Sequence, residues 1–177
     1  MFLRSLIAVF TLSVTLPAPT VGSVYTDLAG ARCKTIKVDE EGGSSVQQCT
    51  GVAGYSLLVE DDDARQSVTV LTSGGKRHPL NYWQVITTAF SSVGDKAEWR
   101  LERKSGKVRP IALIVRVYAN ENPDAPNERV SYLAVAKITA GEICVTEKVK
   151  GGATANEEAR RAADASADKP CLERKKT

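Results

Sequence analysis

A chain of 177 residues, 42% hydrophobic and 25% charged, has enough apolar material for one domain with its own core. Its 24 Lys and Arg against 21 Asp and Glu give a formal net charge of +3, or about +2 once an export signal carrying Arg4 is removed. That balance excludes the strongly basic surface that a nucleic-acid partner or an anionic membrane calls for.

Met1, Phe2, Leu3 and Arg4 make a charged start, and residues 5–16 an apolar run broken only by hydroxyls. The run is too short for a membrane span and reads as a cleaved signal peptide, 1–23, with small residues at Thr20, Gly22 and Ser23 placing the cut after Gly22 or Ser23. Leu28, Ala29 and Gly30 resemble the start of a lipoprotein box, but Ala31 stands where the acylated cysteine belongs, so no lipid anchor is expected. The expected product is a single exported domain, 24–172, periplasmic or secreted and not inserted in the membrane, with a basic tail, 173–177, containing Arg174, Lys175 and Lys176.

Cys33, Cys49, Cys144 and Cys171 all lie in the exported part, and an even count there reads as two disulfides. Of the three connectivities, Cys33 with Cys49 and Cys144 with Cys171 is favoured, because each pair brackets one short segment. Zinc is the competing use, yet the chain has no C-x-x-C spacing and a single histidine, His78, so neither a metal nor another cofactor is expected.

Tyr55, Leu57 and Val59 alternate with Ser56, Leu58 and Glu60, a turn follows at Asp61, Asp62, Asp63, Ala64 and Arg65, and Val68 and Val70 return as the second arm of a hairpin. The three aspartates diverge on that turn and lack EF-hand spacing, so they read as solvated. Lys76, Arg77 and His78 form a basic loop whose positive charge depresses the basicity of His78.

Asn81 with Gln84 matches a capping box, and Tyr82, Val85, Ile86, Ala89 and Val93 recur at helical spacing before Gly94, which predicts a first helix. The run Val85, Ile86, Thr87 and Thr88 pulls the other way, toward a strand.

A second hairpin joins Ala97, Trp99 and Leu101 to a long strand over 108–118 through Lys104, Ser105 and Gly106. A three-residue loop sets Trp99 against Ile111 and Ala97 against Leu113, whereas a two-residue loop sets Trp99 against Ala112; the first is expected because it buries the indole on an apolar face. Ala112 and Ile114 make the other face apolar too, so the strand should be central and covered on both sides.

A turn-rich loop, 120–127, precedes strands over 131–138 and 143–149. Thr154 with Glu157 opens a last helix to about Ala167, on which Ala159, Ala162, Ala163 and Ser166 share a face of small side chains.

Glu142, Ile143, Cys144, Val145 and Thr146, then Ala155, Asn156, Ala159, Arg160, Ala163 and Asp164, then Cys171, carry a resemblance. The stretch is similar to the ending of a group of exported, periplasmic bacterial proteins of unknown function, with a cysteine strand, an A-N-x-x-A-R-x-x-A-D helix and a closing cysteine; residues 54–103 look similar to short proteins of the same kind. The resemblance implies an exported location and the second bridge, and no activity.

No G-x-S-x-G, P-loop, H-E-x-x-H or dinucleotide fingerprint is present. Tyr82, Trp83 and Phe90 offer a stacking surface for a sugar or partner, which beside Lys76, Arg77 and His78 makes an aromatic and cationic patch. The alternative places Tyr82 and Phe90 in the core with Trp83 covering the helix edge. The expected fold is α+β: a curved antiparallel sheet of about six or seven strands with two packed helices, stapled by disulfides. Three functions are carried: a non-catalytic cell-envelope binding or accessory protein for an envelope protein or glycan; a secreted inhibitor of lysozyme or a protease, presenting the 120–127 loop; and an enzyme with an unrecognised carboxylate site. A non-catalytic role is favoured.

Overall fold

The computed structural model describes residues 20–125 and 127–173. The leader's residues 1–19, Pro126 of the turn-rich loop and the tail's Arg174, Lys175 and Lys176 lie outside the described residues.

Alternation in the middle of the chain does make strands. They are β1 (Thr20–Asp27), β2 (Cys33–Asp39), β3 (Ser44–Thr50), β4 (Ser56–Asp62), β5 (Arg65–Leu71), β6 (Arg77–Pro79), β7 (Ser91–Lys104), β8 (Lys107–Ala119), β9 (Val130–Ile138) and β10 (Ile143–Lys150). Two helices, α1 (Tyr82–Val85) and α2 (Ala155–Asp164), complete the chain. Strand takes 54% of the described residues, in one 10-stranded sheet with the order β10-β9-β8-β7-β5-β4-β3-β2; β1 pairs with β7, and β6 with β5. The strand count thus exceeds the expected six or seven, and the sheet runs largely flat rather than strongly curved.

All pairings are antiparallel except one parallel pair, Arg65 opposite Ser91, which joins β5 to β7. Side chains from both sides of that junction share a core: Leu57, Val59, Val68 and Val70 with Trp99, Leu113, Val115 and Val117. Trp99 is fully buried, its indole N–H donates to Thr26 Oγ1 at 3.0 Å, and Tyr55 meets its ring edge-on at 6.0 Å between centroids. Gly51 is required there, since a Cβ would stand 2.5 Å from Tyr55 O and 3.0 Å from Trp99 Cζ2.

The second hairpin turns on two residues rather than three. Lys104 opposes Lys107, and Ser105 (φ 49°) and Gly106 (φ 77°) both take the left-handed conformation that a type I′ turn needs. A bulge then slips the register between Arg100 and Leu101, so Trp99 faces Leu113 and Ala97 faces Val115, not Ile111 and Leu113 as expected. Ile111 is the extra residue, next to Pro110, which has no N–H to give to a ladder. The slip still delivers the indole to the apolar face.

The predicted first helix shrinks to the single turn of α1. Asn81 sits at φ 50°, ψ 50°, with no side-chain cap, and the β-branched run after Val85 leads into β7, where Gly94 is a strand residue rather than a helix stop. The expected cleavage after Gly22 or Ser23 falls inside β1, whose eight residues pair with β7 from Lys96 to Arg103.

Helix α2 covers the other face of β8 and β9. Ala155, Ala159 and Ala163 pack on Ala112, Ile114, Leu133 and Val135, which makes β8 the central, doubly covered strand that its sequence implies. The expected capping box does not form, because the Thr154 hydroxyl bonds the Glu158 carboxylate.

Both favoured bridges are present, Cys33–Cys49 with Cα atoms 4.0 Å apart and Cys144–Cys171 at 5.7 Å. Among the described residues no helix is long and apolar enough to cross a membrane.

Candidate functional site

Two polar constellations stand out from the fold. The first lies under α2, where one turn of the helix separates each polar partner from the next. Asn156 Oδ1 accepts from Arg116 Nη2 at 2.9 Å. Arg160 Nε donates to Glu98 Oε1 at 2.7 Å, and Asp164 takes both arms of Arg100 at 2.7 Å each. Ser23 links Arg100 to Glu98, and Tyr25 accepts from Arg160. Burial pushes the Glu98 carboxyl up, but hydrogen bonds from Arg160 and Ser23 and the Arg160 charge outweigh it and hold it below the ordinary glutamate range. A carboxylate held ionised and saturated with donors in this way is a poor base. The Asn, Arg and Asp of the helix motif therefore dock α2, while its three alanines make the contact close.

The second constellation is a cleft at the end of the sheet where the β4–β5 turn, the segment entering β7 and the segment leaving β8 meet. Asp63 (φ 49°) and Ala64 (φ 55°) form the turn. Backbone bonds tie the three segments together: Ser91 N donates to Ala64 O at 2.9 Å and Asn120 N to Phe90 O at 3.0 Å. Asp61, Gln66, Phe90, Ser91, Asn120 and Arg129 line a cavity of about 220 Å³.

Within it, Asp61 Oδ1, Ser91 Oγ and Asn120 Oδ1 are buried and make no hydrogen bond. Buried polar atoms are nearly always paired, so three orphans on residues that line one cavity are unusual. The other oxygen of Asp61 accepts from Gln66 Nε2 at 2.9 Å, while Gln66 Oε1 accepts from Val93 N at 3.0 Å, which fixes the carboxylate against β7. Arg129 is held by Ser92 Oγ and lies over Tyr118, 5.3 Å from the ring centroid. Phe90 is 51% exposed and lies under the Arg65 guanidinium at 4.7 Å.

The residues singled out from the sequence divide. Tyr82 is in the core, fully buried, with its phenol pushed above the ordinary range by burial, so it is not part of a surface. Trp83 is half-buried and lines a depression with Asp62, Asp63, Arg65 and Thr88, adjacent to the cleft. Phe90 is exposed rather than in a helical core.

Lys76, Arg77 and His78 lie elsewhere. His78 pairs with Val70 and Arg77 with Leu71, five and six residues along β5 from Arg65, or roughly 17–20 Å. Arg77 is held by Glu60 at 2.7 Å; His78 is less basic than usual, through burial first and the Lys76 charge second. The aromatic side chains and these cations therefore do not form one patch. Asp61 and Asn120 escaped sequence reasoning because nothing local marks an aspartate before a turn or an asparagine after a strand as facing each other.

The 120–127 loop begins at this cleft and is anchored at its base. The Tyr132 hydroxyl donates to Glu121 Oε2 at 2.6 Å, Lys148 Nζ lies 3.9 Å from Glu121 Oε1, and Asp124 N donates to Asn122 Oδ1 at 3.1 Å. Burial, the hydrogen bond to Glu121 and the Glu121 charge push the Tyr132 phenol up to about 12. Glu142, Cys144 and Cys171 are the one metal-like grouping among the described residues, and the disulfide takes both thiols out of that role. Comparison with known proteins finds no matching family model, curated protein or solved structure.

Proposed function

We propose that the chain is a non-catalytic binding or accessory protein of the cell envelope, exported to the periplasm or beyond, and that the Asp61–Ser91–Asn120 cleft recognises a hydroxyl-rich ligand such as a glycan residue. One observation supports the reading: three residues that line a single cleft, Asp61, Ser91 and Asn120, each carry a buried oxygen without a protein partner. A ligand that brings several O–H donors satisfies them, and an unsatisfied buried acceptor costs about 1–3 kcal/mol each. A bare cation suits the site less well, because Arg129 lines it and Arg65 stands over Phe90 at its edge. Phe90 adds an exposed apolar ring of the sort on which a sugar packs. The two disulfides fit an oxidising compartment.

The test is a titration of the purified protein with neutral oligosaccharides of glucose and of N-acetylglucosamine, followed by amide NMR. Resonances of Ser91 and Asn120 should shift together, and Asp61→Ala should weaken binding about tenfold or more. Failure of every glycan to move those resonances rejects the glycan reading; a pull-down that captures an envelope protein through Trp83 and Phe90 would keep the binding role alive with a different ligand.

The inhibitor reading has a specific observation in its favour, the loop anchored by Glu121, since a rigid loop is what a hydrolase inhibitor presents. Near-stoichiometric slowing of lysozyme or a serine protease supports it, and an unaffected panel at micromolar protein removes it.

A further inference from the structure

Among the described residues, strand β2 ends the sheet and pairs only with β3. Its residues 34–39 are all exposed, with Ile36 at 50% and Val38 at 58%. A bare edge with apolar side chains is a template for another strand.

The disulfide shows which backbone groups that edge offers. Cys33 and Cys49 face each other with Cα atoms 4.0 Å apart, the close spacing of a non-hydrogen-bonded pair. Alternation along β3 puts Gln47 and Ser45 in the same class as Cys49. Their partners Thr35 and Val38 therefore aim N–H and C=O away from β3, and Ile36 is the bulge residue between them. Side chains follow the same logic: Lys34 and Asp39 oppose Gln48 and Ser44, two positions on one face of β3, so they too share a face.

Charge is divided along this edge. Arg32 and Lys34 stand before the apolar centre; Asp39, Glu40 and Glu41 follow it. Asp39 gives one oxygen to Gly42 N and keeps the other.

We propose that the β2 edge pairs with the β2 edge of a second copy of the chain, antiparallel, about a twofold axis normal to the sheet, with Thr35 opposite Val38 of the second copy. In that register the outward backbone groups of Thr35 and Val38 meet, Lys34 lies opposite Asp39, and Arg32 is directed to Glu41, each contact occurring twice by symmetry. A second copy is chosen over an unrelated strand because the two ends of β2 complement each other only in this arrangement. With Ile36 bulged out, the same register sets Lys37 opposite Lys37 of the second copy, a like-charge contact that the flanking Lys34–Asp39 and Arg32–Glu41 pairs offset. The edge shares no residue with the cleft.

Sedimentation velocity of the disulfide-intact protein over about 1–100 µM should show a dimer that grows with concentration. Arg32→Glu should weaken it about tenfold or more, and adding Glu41→Arg should restore it to within about twofold. Hydrogen exchange at the Thr35 and Val38 amides should slow as dimer accumulates. A monomer throughout that range overturns the proposal. So does a dimer indifferent to Arg32→Glu, or one in which Glu41→Arg brings no recovery.

Discussion

Around Cys144–Cys171 nearly every neighbouring group has a partner, whereas around Cys33–Cys49 most of one strand faces solvent. The first bridge ends a tail that Leu172 N ties to Val145 O at 2.7 Å and that the buried Lys137 holds through Lys169 O at 2.8 Å. Lys137 also reaches Glu142 at 2.8 Å. The second bridge staples β2, exposed along its length, to β3 at the end of the sheet. The same covalent device thus serves two purposes: at one end it closes a layer that side chains already hold, and at the other it replaces a layer that is missing.

The contrast can be broken most strongly at the place where both ends meet. Trp99→Ala removes the buried indole from the core that both ends share, and should cost about 3–5 kcal/mol in denaturant unfolding, with loss of cooperativity between the two ends as a further sign. A cost under about 1 kcal/mol would mean that the ends are held separately.

Replacing a disulfide sharpens the comparison. For sequence separations of 16 and 27 residues, chain entropy assigns about 3 kcal/mol to Cys33–Cys49 and about 0.5 kcal/mol more to Cys144–Cys171. Paired Cys→Ser variants should also differ in where amide exchange accelerates: only in β2 and β3 for the first, and across α2 and β10 for the second. Identical exchange patterns would contradict the division.

Asp164→Ala should cost about 1–3 kcal/mol, because it leaves Arg100 nearly buried without its forked partner while Ser23 and Glu98 remain. The same interface sets an acid response. Glu98 has a depressed folded value, so its contribution is fully present above the ordinary glutamate value of about 4.3 and is lost as pH falls through the lower folded value. Exchange in α2 should therefore rise in strong acid before the core opens, and an α2 that stays protected until global unfolding would rule this out. The smallest effect belongs to Trp83→Ala, about 1 kcal/mol for a half-buried ring at the edge of the sheet's core, with the thermal midpoint as readout.

The same contrast accounts for what could be read from sequence. β4 and β5 were legible through alternating residues such as Leu57 and Val59 or Val68 and Val70, and β8 and β9 through apolar runs on both faces, one against the core and the other under α2. β2 and β3 were not, because a strand without a buried face has no pattern to show. Tyr82, Val85 and Ile86 happen to fit a helical period although Tyr82 and Ile86 enter the sheet's core from a single turn. Pro110 was the available hint of the bulge that shifted Trp99. The cleft was hidden for a different reason: Asp61, Ser91 and Asn120 come together only through the parallel pair of Arg65 with Ser91, a long-range contact with no local signature.

The placement of α2 also bears on how the chain is made. Ala112, Ile114, Leu133 and Val135 lie well before the helix that covers them, and Cys144 before the Cys171 it joins. While the polypeptide emerges from its N-terminal end, that apolar face waits uncovered and Cys144 waits reduced, with Cys33 and Cys49 already within reach of each other. Such a surface is prone to association with other nascent chains. Closure of the Cys33–Cys49 pair before Cys171 emerges would remove the two thiols that Cys144 could otherwise meet, and the exposed end of the sheet would then guard the pairing of the covered one.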